Sequence, residues 1–181
     1  MNTPGDHVLQ TVINDFHKYK ALAERAFVQL PDADFHWQSG DEQNSIAVIM
    51  QHLASNMRPR WTDFLTSDGE KPDRNRDCEF VDPAVSRETL MKCWEEGWEC
   101  LFSALTPLTD ADLERRVTIR GEPHSVMQAI NRQVAHYSYH VGQIVFLAKQ
   151  LKSSGWNSLS VPRNKSAEFN RKVAAGEASQ R

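Results

Sequence analysis

Residues 123–151, PHSVMQAINRQVAHYSYHVGQIVFLAKQL, decide the fold. Val126, Ile130, Val134, Tyr137, Val141, Ile144 and Leu151 recur at threes, fours and sevens, the period of a helix with one face on a core. Gly121, Glu122 and Pro123 predict its start, because proline suits a first helical turn, and Gly155 predicts its end. Inside this helix His136 and His140 stand four apart. At 3.6 residues per turn they lie about 40° apart around the axis and one turn apart along it, so both imidazoles can address one metal ion. Each precedes an apolar position, Tyr137 or Val141, and therefore borders the buried stripe.

Three further segments share the helical period, and no segment alternates as a strand does. The first runs from about His7 to Leu30 through Leu9, Val12, Phe16, Ala23 and Phe27, and stops at Pro31. The second starts at an Asn44 or Ser45 cap and carries Ile46, Ile49, Leu53 and Met57, with a kink or break expected near Arg58 because of Pro59. The third follows Ser86 and carries Leu90, Trp94, Leu101 and Leu105 to Pro107. Between the second and third lies a polar connection, TSDGEKPDRNRDCEFVDP, without periodicity, and loops of that length are usually functional or disordered. The expected architecture is all-α, a four-helix bundle forming one domain over residues 1–170, followed by a disordered tail at 171–181.

Composition narrows the function. The 181 residues carry a formal net charge of −3, which argues against a nucleic-acid partner. The opening MNTPGDHVLQ lacks the charged start and apolar run of a signal peptide, and IAVIM falls far short of the roughly 20 residues needed to span a bilayer, so a cytoplasmic protein without a membrane partner is expected. Three cysteines fit a reducing compartment. Cys93 and Cys100 would sit about 10 Å apart on one helix, beyond the roughly 7 Å reach of a disulfide.

His52, in IAVIMQHLASNM of the second helix, borders the stripe of Ile49 and Met57 and is the natural third ligand to join His136 and His140. Three histidines would leave coordination positions open, as catalytic sites do. The bland alternative is three satisfied core histidines, yet partly buried imidazoles without partners are costly and a shared cation satisfies them. Arg132, one turn before His136, is placed to meet an anionic substrate group, or else to pair with an acid. Arg74, Asn75, Arg76 and Asp77 either close over the metal and bind substrate or form a structural loop held by Arg to Asp pairs. Asn56 and Gln143 can hold a ring N–H or a water, with ordinary interhelical hydrogen bonding as the alternative. His17 is an accessory candidate, whereas His124 falls about 120° off the ligand stripe.

One histidine in the second helix, HxxxH in the fourth, and the stretches NRD, CEF, RGEPH, INRQVAHYSYHVGQI and WNSLSVPRNKS together resemble the DinB-like superfamily of metal-binding four-helix bundles, in particular a bacterial subgroup of unknown function. The resemblance spans about residues 7–170. It implies a divalent metal on His52, His136 and His140, often in homodimers, and relatives that use mycothiol or bacillithiol for conjugation or isomerisation.

The expected activity is therefore metal-dependent transfer of a low-molecular-weight thiol to a small electrophile. Between Pro123 and Leu151 there is no aspartate or glutamate, which disfavours an HExxH hydrolase with its own general base. A hydrolase using bound hydroxide, and a non-catalytic stress or regulatory protein acting through a dimer or another partner, remain as alternatives. Three imidazoles suit zinc first, with nickel, iron and copper also compatible.

Overall fold

Side-chain caps start the long helices of the computed structural model, which describes residues 3–179. Helix α1 (Pro4–Phe27) opens on a reciprocal box: the Thr3 hydroxyl accepts the Asp6 N–H at 3.1 Å, and the Asp6 carboxylate accepts the Thr3 N–H at 3.0 Å. Helix α2 (Ile46–Trp61) is capped by Ser45 and α3 (Arg87–Leu105) by Ser86, each hydroxyl accepting an N–H three residues on at 3.2 Å. Ser125 and Gln128 form a second reciprocal box at the start of α4 (Val126–Lys152).

That last start corrects the expectation of a helix opening at Gly121 to Pro123. Strands β1 (Arg116–Ile119) and β2 (Glu122–Ser125) form an antiparallel hairpin there, and Pro123 lies in β2. Its two-residue turn, Arg120 and Gly121, has φ of 56° and 76°, the left-handed pair that suits the twist of a tight hairpin. Val117 and Ile119 point into the core while Arg116 and Thr118 do not. Of the kink or break expected near Arg58, the break does not occur, since helix α2 continues through Pro59 to Trp61. Pro59 sits in the last turn, where its missing N–H costs the helix only the one bond to the Ser55 carbonyl.

The protein is mostly helical, and helices carry nearly all of its core. Helix α2 packs mainly on α3, α4 mainly on α1, and a seam between α2 and α4 joins the two pairs. Gly97 lets α3 approach α2 closely, because a Cβ there would stand 3.0 Å from Ala54 Cα. Trp94 and Trp98 are buried among Phe16, Phe27 and Tyr137, as core residues. No helix among the described residues is long and apolar enough to cross a membrane.

The long connection between α2 and α3 is ordered, with a single 3-10 turn at Asp77–Phe80. A short helix, α5 (Ser166–Ala174), extends into the stretch read from sequence as a tail, whose final residues 180 and 181 lie outside the described residues.

Candidate metal centre

The seam between α2 and α4 brings His52, His136 and His140 together, with one ligand nitrogen from each lying within 4.8 Å of the others. His52 Nε2 is 3.1 Å from His136 Nε2. The opposite nitrogens are all occupied: His52 Nδ1 meets the Glu79 carboxylate at 2.7 Å, His136 Nδ1 meets Gln133 Oε1 at 3.1 Å, and His140 Nδ1 meets Gln143 Oε1 at 2.8 Å. Each of these partners is an acceptor, so each Nδ1 donates and the Nε2 atoms are the ones turned toward one another. Burial, followed by the neighbouring His140 and His52, pushes His136 down to about 3, and burial beside His52 takes His140 to about 4. Both rings are therefore neutral at ordinary pH. The Nε2 atoms of His136 and His140 thus offer lone pairs beside His52 Nε2, a donor set that a cation can complete.

Glu79 is the carboxylate that the ligand helix lacks. It arrives from the long connection, is buried, and also accepts from Arg74 Nε at 2.7 Å and Arg74 Nη2 at 2.9 Å. Burial raises the Glu79 pKa, but the hydrogen bonds from His52 and Arg74 outweigh it and hold the carboxyl below its usual range. An ionised carboxylate on Nδ1 orients a ligating imidazole and increases its basicity. Sequence reasoning gives Glu79 no role, because it lies 27 positions after His52, in an aperiodic loop. Gln133 was likewise missed, although its spacing to His136 mirrors that of Gln143 to His140.

The cluster lines a half-open cleft of about 500 Å³. Arg132 and Arg76 also line it, both exposed, and Arg76 lies over the Phe80 ring at 4.8 Å. Arg74 reaches the cleft too, pinned to Glu70 and Glu79, so the loop is held by Arg to Glu pairs and not by the Arg to Asp pairs that sequence offered. Asn75 accepts the Cys78 N–H at 3.3 Å and Asp77 opens the 3-10 turn. Asn56 makes the interhelical bond, accepting the Tyr137 hydroxyl at 3.1 Å, while Trp61 donates to that hydroxyl. His17 stacks on Phe102 and His124 meets the Glu122 carbonyl, and neither joins the cluster. All three cysteines are free thiols.

Fold and site thus define a helical protein with a three-histidine cluster able to hold a divalent metal. The chain matches the family model described as "Protein of unknown function (DUF1572)" over residues 4–165, and it belongs to that family. None of the curated proteins compared with the chain matches it.

Proposed function

We propose that the protein is a metal-dependent S-transferase of DinB-like four-helix-bundle type, holding a divalent metal on His52, His136 and His140. The observation that carries this reading is the convergence of three Nε2 atoms, each ring fixed from behind by an acceptor on Nδ1, on the wall of an open cleft. A metal held there would lower the pKa of a bound low-molecular-weight thiol and so favour its nucleophilic thiolate. Zinc suits three neutral imidazoles best, with nickel or iron as alternatives.

The chain's own residues favour thiol transfer over hydrolysis. Glu79 has one oxygen on His52 and both on Arg74, so it is not free to take a proton from water. Arg132 and Arg76 at the cleft wall are placed to receive an anionic group of the substrate, and Arg74, Asn75 and Asp77 belong to the loop that frames it. The open cleft argues against a purely structural metal. A homodimer in a reducing, cytoplasmic setting belongs to the same proposal: the thiols are unpaired, and α4 exposes Tyr139, at the cleft, and Phe146.

The test is a titration of cobalt-substituted protein with bacillithiol, mycothiol and cysteine. Saturable change in the visible absorption of the cobalt site supports the reading. A cobalt spectrum indifferent to all three thiols overturns it in favour of a non-catalytic metal protein.

A further inference from the structure

Helix α2 carries His52, Asn56 and Arg60 at successive turns, all lining the cleft, and α4 carries Arg132 one turn before His136. Arg60 lies eight residues past His52, about 12 Å along the axis at roughly 1.5 Å per residue. It is 3% exposed, and its Nε and Nη1 have no hydrogen-bond partner. Its nearest acid, the Glu70 carboxylate, stands 3.8 Å from Nη2 and is already engaged by Arg74 at 2.8 Å and Arg120 at 3.4 Å. Gly69 covers the guanidinium from above, since a Cβ there would come within 2.8 Å of Nη1. A buried guanidinium with two unsatisfied nitrogens is costly, and this one belongs to a residue that lines the cleft, where a ligand could meet it.

The surrounding charge has the same sign. Arg60, Arg74, Arg76, Arg120 and Arg132 line the cleft, and the carboxylates that meet them are Glu70 and Glu79. Neither Arg76 nor Arg132 has an acidic partner among the described residues. In a chain of net charge −3, this concentration of positive charge is local to the cleft.

We infer that the end of the cleft bounded by Arg60, Arg120 and Arg132 is a subsite for an oxyanion, a carboxylate or phosphate group of the small molecule that reacts at the histidine end. The position of the reacting end rests on the metal reading above, whereas the subsite stands on the arginines alone. The substrate is then an anionic molecule spanning about two helical turns, with its charge held away from its reactive group.

Calorimetric titration of the full chain, metal-free and zinc-loaded, with inorganic phosphate and with succinate at constant ionic strength tests this. Saturable one-site binding of either probe is expected, weakened about tenfold or more in Arg132→Gln and in Arg60→Met. Preference between the probes tells a phosphate-bearing from a carboxylate-bearing substrate. Arg132 is exposed, so its variant carries the test if Arg60→Met does not fold. Absence of saturable binding, or unchanged affinity in Arg132→Gln, overturns the subsite. Phosphate or succinate binding that survives in His136→Ala supports it, and loss there would assign the anion to the histidines instead. Wild type that binds anion but no zinc would sink the metal reading and leave the subsite standing.

Discussion

Each histidine of the cluster has its Nδ1 proton committed before any ligand arrives, and the strength of that commitment differs. His52 faces a buried carboxylate at 2.7 Å, whereas His140 faces the amide oxygen of an exposed glutamine at 2.8 Å. Glu79→Gln removes the charge that supports His52 and is expected to weaken zinc affinity about 10- to 100-fold. Gln143→Ala should weaken it less, because water can replace an exposed amide. Competition with a chromophoric zinc chelator, on variants shown by circular dichroism to be folded, measures both. Equal affinity in wild type and Glu79→Gln would remove the supporting role assigned to that carboxylate. At this scale the sequence was most legible where spacing maps onto a helix. His136 and His140 announce themselves at i and i+4, and the border of a stripe marks His52. Glu79 left no such mark, since its meaning comes from a contact made across a loop. Arg60 was hidden by the kink or break expected near Arg58, beyond which the face that carries His52 is not extended from sequence.

The connection between α2 and α3 is tied to the hairpin chiefly by the Asp68 side chain. Asp68 accepts the N–H of Glu70 at 2.7 Å, of Arg120 at 2.8 Å and of Gly121 at 2.8 Å, while the Gly69 N–H bonds the Thr118 carbonyl at 2.8 Å. Burial raises the Asp68 pKa, but the bonds from Gly121, Glu70 and Arg120 and from the Thr118 side chain outweigh it and bring the carboxyl to about 2. Its folded pKa is depressed, so the stabilisation is complete above the ordinary value of 3.8 and disappears as pH falls through about 2. Asp68→Ala should therefore destabilise the protein by about 1–3 kcal/mol at neutral pH, with the difference from wild type shrinking below pH 4. Chemical denaturation of both proteins from pH 7 to pH 2.5 checks this, and a constant difference would show that the carboxylate does not anchor the hairpin. The hairpin escaped sequence reading because its strands are four residues each, Pro123 mimics a helical first turn, and Arg120–Gly121 is not the Asn-Gly pair that usually signals such a turn. Long helices with serine caps and three or four turns of apolar period were legible; a two-residue turn was not.

Over the whole molecule, the site sits where the α1/α4 and α2/α3 pairs meet. The buried bonds from Trp61 to Tyr137 and from Tyr137 to Asn56 hold this seam in the core, and the histidines cross it at the cleft. A metal bound there would bind the folded state through two helices at once. By mass action, zinc at about 1,000 times its dissociation constant would add roughly 4 kcal/mol to stability, and a chelator should lower the melting temperature accordingly. The single measurement closest to the central claim is zinc content per chain, by elemental analysis, in untagged wild type and His136→Ala after equal loading and desalting. One equivalent in wild type, lost in His136→Ala while the variant stays folded, is the predicted result. Wild type that cannot be loaded, or a variant that keeps its full equivalent, would contradict a metal centre built from His52, His136 and His140.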